Sequence, residues 1–339
     1  MSDKITSIDP SIVPSYTLST GEKMPAIGMG TFGSDHFSAE DISAAVAGAI
    51  DFGYRLFDCA SVYGNEDLIG KVFKNVFDNK TVKREDLFIM SKVWNDQHRE
   101  VGKAINKSLK DLQLTYLDAY FVHWPFPNYH APFANAEDRN PDSKPFSVDE
   151  FMDTWHQLED AYDKGLIKNL GMSSMTIPKL EAVLPLCRIK PTLIEIEQHP
   201  AFQQADLYQY IIDHDIQPVG FMPLGSPTRP DRDKFDEDVD DMKMPELVEI
   251  AKAHNVHPAL ICLKWAFQRG SIPIPFSIYP AEYQSNLTSI TEDPLTDKEM
   301  ETMATLDKNN RLVKGEVFLW PGADDWQALW DIDGTITKE

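Results

Sequence analysis

The chain has 339 residues, with 54 Asp and Glu against 32 Lys and Arg, and a formal charge of −22. Hydrophobic residues make up 42% and aromatic residues 11%, enough apolar surface for a large core, which excludes wholesale disorder and a disulfide-stapled miniprotein. An acidic chain without a Lys/Arg run repels a phosphate backbone, so neither nucleic acid nor an anionic membrane is expected as a partner.

The three cysteines, Cys59, Cys187 and Cys262, are far apart and show no Cys-x-x-Cys spacing, which points to a reducing compartment rather than a disulfide framework. The first 14 residues read as an extension without a basic-then-apolar leader. No apolar run approaches the roughly 20 residues of a membrane span. A soluble, cytosolic protein is expected.

Short apolar runs of strand character then alternate with amphipathic stretches. The first is 26–31, followed by a helix over 38–52 in which Ile42, Ala45, Val46, Ala49 and Ile50 form one stripe and Ser38 opens the first turn. Further strands are read at 55–58, 87–91 and 117–122. The segment 125–146, rich in Pro, Asn and Asp, follows a strand end directly and reads as a long functional loop. A helix over 148–164 leads to strands at 167–172 and 192–197, a helix at 206–214 and a strand at 217–221. The segment 225–244 carries an acidic cluster at 231–241, read as a solvated loop. Helices over 245–254 and 258–269 precede a last strand at 271–275. The tail from about 312 to 339 holds Trp320, Trp326 and Trp330, which must bury against the body or a pocket rim. Nearly continuous apolar strands suit a parallel sheet covered on both faces, and repeated strand-helix units with right-handed crossovers close most simply into a (β/α)8 TIM barrel. One domain over 1–339 is expected.

Four polar residues sit where strands end or just beyond: Asp58, Tyr63, Lys92 and His123. A closed barrel would turn all four into its C-terminal mouth, where that fold places active sites. Together they form a proton-transfer set without a nucleophile. No metal is expected, since the nine His residues show no HExxH or Cys/His ligand spacing.

At this point the chain resembles the aldo-keto reductase family. The matching segments are MPAIGMGTF, DFGYRLFDCASVYGNEDLIG, SKVW, KSLKDLQLTYLDAYFVHWP, GLIKNLGMSS, IEIEQHP, PLGSP and SNL, in the family's order. The resemblance implies hydride transfer from a nicotinamide cofactor to a carbonyl carbon, with Tyr63 as general acid, Lys92 lowering its pKa, Asp58 holding Lys92, and His123 orienting the carbonyl oxygen. It further implies cofactor contacts from Thr31, Phe32, Ser173, Ser174, Phe221, Pro223, Leu224 and Ser226, and from Glu195, which stands where the family usually has Gln. At the adenine end, Ser277, Ser285 and Asn286 match. Phe276 and Glu282 replace the Lys and Arg that grip a 2′-phosphate, and an acidic residue can instead accept from a ribose hydroxyl, so NAD(H) is expected over NADP(H). Phe32, Trp94, Trp124 and Trp320 are carried over as substrate walls. The tail segments RLVKG, FLW and LWD resemble sugar-aldehyde reductases of the family, which points to an aldehyde or a small aldose or ketose as substrate, in a monomer or homodimer. The alternative is a cofactor-binding regulatory subunit of the same barrel family.

Overall fold

The computed structural model describes residues 7–337 apart from 34, 132, 133, 136 and 227. Residues 1–6 of the N-terminal extension, Pro227 of the PLGSP segment and residues 338–339 of the tail lie outside the described residues. Eight parallel strands follow one another in chain order: β1 (Met29–Gly30), β2 (Leu56–Asp58), β3 (Phe88–Val93), β4 (Ala119–Val122), β5 (Leu170–Ser173), β6 (Leu193–Glu197), β7 (Gln217–Phe221) and β8 (Ile272–Pro273). Each pairs with its sequence neighbour. Gly28 and Gly30 donate to the carbonyls of Pro273 and Pro275 at 3.0 Å, which joins the first strand to the last and closes the (β/α)8 barrel.

Every strand expected from the sequence is present, one to three residues shorter at some ends. The expected helices are also present, at Ala39–Phe52, Val148–Asp163, Ala205–Asp213, Pro245–Ala253 and Pro258–Gln268. Ser38 caps the first of these by accepting from the Asp41 amide. Five more helices, not singled out in the sequence, lie at Glu66–Asp78, Val101–Asp111, Ile177–Val183, Pro280–Ser289 and Asp297–Ala304. An antiparallel pair, Ser15–Thr17 with Lys23–Pro25, was not expected. It brings Leu18 and Met24 against Leu56, Phe88, Phe121 and Leu193 inside the barrel.

That interior is packed tightly enough to dictate residue type. A Cβ on Gly171 of β5 would stand 2.3 Å from the Phe121 ring, so only glycine lets β5 lie beside that side chain. A larger apolar layer separates the strands from the surrounding helices. Among the described residues, no helix is long and apolar enough to cross a membrane, and no group of His, Cys, Asp or Glu is arranged to hold a metal ion.

Candidate active site

Side-chain alternation along the strands decides what reaches the barrel mouth. On β3, Phe88 and Met90 belong to the inner layer, while Ile89 and Val93 pack outward under the helices. A period of two therefore puts Lys92 in the inward row. The same rule carries Leu56 to Asp58 on β2, Ala119 and Phe121 to His123 just past β4, and Leu193 to Glu195 on β6. Each inward row is apolar until its C-terminal end and polar there. Tyr63 joins them from the 3-10 turn Ser61–Tyr63 that follows β2.

Lys92 is the centre of the group and is fully buried. Its Nζ donates to Asp58 Oδ1 at 2.5 Å, to the Cys59 carbonyl at 3.3 Å and to Tyr63 Oη at 3.4 Å, and it lies 3.5 Å from Glu195 Oε2. Burial works to lower its pKa, but Asp58, Glu195 and Tyr63 outweigh it and hold the ammonium well above its usual range. Burial raises the Asp58 carboxyl against the pull of that ammonium. The Glu195 carboxyl is pushed up to about 8 by burial and then by Asp58, opposed by Lys92. Burial also raises the Tyr63 hydroxyl above its ordinary value, with Lys92 pulling the other way. His123 is driven well below its usual value by burial and by Lys92, so its imidazole is neutral at physiological pH. Its ring lies 5.7 Å from that of Tyr63 and 5.1 Å from that of Trp94.

These groups open into a cleft of about 1260 Å³. Asp58, Tyr63, His123 and Glu195 line it at the barrel mouth, and Phe32, Trp94 and Trp124 form its aromatic wall. Ser173, Ser174, Phe221, Pro223, Leu224 and Ser226 border it beyond the ends of β5 and β7, and Phe276, Glu282, Ser285 and Asn286 border it beyond β8. Lys92 and Thr31 are buried rather than exposed in it, and Thr31 Oγ1 donates to the Asp58 carbonyl at 2.8 Å. Ser277 is likewise buried and donates to Glu282 Oε2 at 2.6 Å.

Trp320 departs from the expectation. The chain turns through the 3-10 segment Glu316–Phe318, so Phe318 faces the cleft while Trp320 borders a separate surface hollow with Asn95 and Pro127. The Phe318 ring lies 4.6 Å from that of Trp124 and 6.0 Å from that of Trp94. Its signal was present in the sequence as the F of FLW, two residues before the Trp. The other tail residues bury as their size demands: Trp330 is buried and Trp326 packs against the same aromatic cluster.

The acidic segment is also more than a solvated loop. Asp241 is wholly buried, 2.9 Å from His199 Nδ1, and it accepts from the Ala201 amide at 3.0 Å. Asp238 pairs with the buried Arg229. Arg232 reaches Asp35 at 2.6 Å, and both line the cleft, so this pair joins the loop after β1 to the acidic segment. Neither partner was read from the sequence, where 197 positions separate them.

The model of the Aldo/keto reductase family matches residues 26–308. An aldo/keto reductase of Synechocystis is 38% identical over 319 residues, covering 93% of this chain and 96% of its own length. Aldo-keto reductase family 1 member A1 of Bos taurus is 36% identical over 301 residues, covering 87% and 90%. Among solved structures, the aldose reductase of Schistosoma japonicum superposes with a TM-score of 0.78 at 30% identity, covering 92% of this chain and 98% of its own. A Bombyx mori aldo-keto reductase in complex with NADP superposes with a TM-score of 0.79 at 27% identity, covering 91% and 96%. With a family match spanning most of its length and a relative 38% identical over 93% of it, the chain belongs to the aldo/keto reductase family.

Proposed function

We propose that the protein is a nicotinamide-dependent carbonyl reductase acting on an aldehyde or a small aldose or ketose, with Tyr63 as proton donor and NADH preferred to NADPH. The observation that carries this reading is the line from buried Asp58 through buried Lys92 to Tyr63, with contacts of 2.5 and 3.4 Å, ending at a hydroxyl in the cleft.

The cleft suits such a cofactor. Its volume exceeds the roughly 300–1,000 Å³ of common small-molecule pockets, leaving room for a dinucleotide beside a small substrate. Two buried polar atoms at its mouth, Glu195 Oε2 and His123 Nδ1, have no hydrogen-bond partner, and the Ser173 and Ser174 hydroxyls lie 3.4 Å apart beside them. The Bombyx mori relative solved with NADP supports the same cofactor class. Bound there, a nicotinamide would supply hydride to the carbonyl carbon.

This chain's residues handle the proton and the charge. Tyr63 Oη gives its proton to the carbonyl oxygen as charge develops there. The Lys92 ammonium lowers the cost of the resulting phenolate, and Asp58 fixes that ammonium in place. Neutral His123 is placed to donate a hydrogen bond to the same oxygen. Phe32, Trp94, Trp124 and Phe318 keep water from the reacting atoms. The three cysteines are buried and unpaired, which suits a cytosolic enzyme.

The test is oxidation of NADH and NADPH by purified protein across aldehydes, aldoses and ketoses. Turnover of at least one carbonyl class supports the reading. Cofactor binding without turnover on any of them overturns it and favours a regulatory subunit.

A further inference from the structure

The group around Lys92 holds one more acid than its charge requires. Asp58 already meets the ammonium at 2.5 Å. Glu195 brings a second carboxyl to 3.5 Å, and its Oε2, though fully buried, takes no hydrogen bond. One ammonium neutralises one carboxylate, and the closer, hydrogen-bonded Asp58 is the one it serves. Glu195 can then enter this site without cost only by keeping a proton or by meeting a second cation.

A carbonyl oxygen held by Tyr63 fixes where a hydride donor must sit, because the reacting atoms have to approach to about 3–3.5 Å. Tyr63 Oη and Glu195 Oε2 both stand within 3.5 Å of the same ammonium. A donor ring bound there would come close to Glu195, which lines the same cleft. In its reduced form that ring is uncharged, and in its oxidised form it is a cation.

We propose that Glu195 determines which redox form of the cofactor is held more tightly: it keeps its proton beside the reduced ring and releases it to solvent when the oxidised, cationic ring is bound. This rests on reading the cleft as a nicotinamide site.

The surrounding groups leave Glu195 free to act in this way. Lys92 from β3 is held charged, and Tyr63 after β2 is held protonated. His123 beyond β4 is held neutral, and Asp58 on β2 is engaged with the ammonium. The neighbours of Glu195 in the sheet, Ser173 on β5 and Val219 on β7, do not titrate. The Glu195 carboxyl itself, raised to about 8 by burial and Asp58, lies in the range where a nearby cation decides its charge. His199 also titrates high, but it is enclosed by Glu197 and Asp241 and is unaltered in a Glu195→Gln variant.

The experiment is calorimetric titration with NAD+ and with NADH between about pH 6.5 and 9, in buffers of different ionisation enthalpy, on wild type and Glu195→Gln. The wild type should release close to one proton per NAD+ near neutral pH and almost none with NADH. Its affinity for NAD+ relative to NADH should rise on the order of tenfold across that range. The variant should show a flat ratio and no proton release. Binding without proton release in wild type overturns the inference alone, and that arm stands even if the variant folds poorly. Failure to bind NAD+, NADH or their 2′-phosphorylated forms overturns the cofactor reading itself.

Discussion

The Lys92 ammonium lies 3.4 Å from the Tyr63 hydroxyl, yet the phenol is held above its ordinary pKa. Sequence reasoning expected the ammonium to acidify Tyr63. It does pull in that direction, but burial is the larger effect and Asp58 and Glu195 add to it. Tyr63 is thus protonated throughout the neutral range, as a proton donor must be. In the proposed mechanism Lys92 limits the penalty of the phenolate that would form when Tyr63 gives up its proton.

Tyr63→Phe removes the only hydroxyl proposed to touch the carbonyl oxygen and keeps the ring that packs 5.1 Å from Phe32. Turnover should fall by about 10²–10⁴, with dinucleotide affinity nearly unchanged. Steady-state kinetics and a binding titration on the same preparation check both halves. Wild-type-like turnover would falsify the assignment of the acid.

Lys92→Met removes the cation that two buried carboxyls share. Asp58 then becomes an unpaired buried charge, a loss of the kind that costs about 3–5 kcal/mol. Stability to urea should drop at neutral pH, and activity should fall further than stability as the phenolate loses its support. Full activity across neutral pH would reduce Lys92 to a structural ion pair.

The barrel was legible because its strands are largely apolar and buried along their length, as parallel strands covered on both faces must be. Its mouth was legible because period-two rows ending in Asp58, Lys92 and His123 change from apolar to polar at one end. Glu195 obeys the same rule, but its closeness to Lys92 depends on two strands separated in chain by more than a hundred positions. Helices such as Glu66–Asp78 were passed over although Ile69, Phe73 and Val76 form a buried stripe. The acidic cluster misled for a different reason: charge runs are usually solvated, and nothing local marks Asp241 as the partner of His199. Trp320 shows the limit of reading position along a tail, since after the 3-10 turn Glu316–Phe318 it is Phe318 and not Trp320 that lines the cleft.

The tail itself is tied down through His199. Glu197 accepts the amides of Leu312 at 2.6 Å and Val313 at 3.0 Å, and His199 bonds Glu197 at 3.2 Å on one side and Asp241 on the other. Burial disfavours the imidazolium, but the two carboxylates outweigh it and raise His199 to about 9. A pKa raised by folding contributes stability that is complete below about 6.5 and is lost as pH climbs through the folded value. For this shift the contribution is on the order of 3 kcal/mol. Stability should therefore decline between about pH 6.5 and 9, and His199→Gln should be less stable at pH 6 and lose most of that slope. Urea midpoints across this range provide the measurement, and parallel pH profiles in the two proteins would refute the assignment.

The proposed preference for NADH turns on Phe276 and Glu282. Glu282 lies in the first turn of the helix Pro280–Ser289 and lines the cleft, with its Oε2 taking the Ser277 hydroxyl at 2.6 Å. Phe276 also lines the cleft and packs its ring 5.7 Å from that of Phe37. An apolar ring and a carboxylate thus border the end of the cleft assigned to the ribose. Two like charges about 4 Å apart repel by about 4 kcal/mol at an effective dielectric of 20. Glu282 is exposed, so salt screens part of this, and discrimination against NADPH should amount to about one to three decades in kcat/KM. The same carboxylate can accept from a free ribose hydroxyl, which favours NADH directly. Phe276→Lys and Glu282→Arg together should move preference toward NADPH, and the two need not add, since both would grip one phosphate. Raising the salt concentration should narrow the wild-type preference by weakening the repulsion while leaving the hydroxyl contact in place. The measurement is kcat/KM for each cofactor at one carbonyl substrate, for wild type and double variant. A wild type that already favours NADPH would mean that Glu282 does not meet the 2′ position, and the NADH assignment would fall with it.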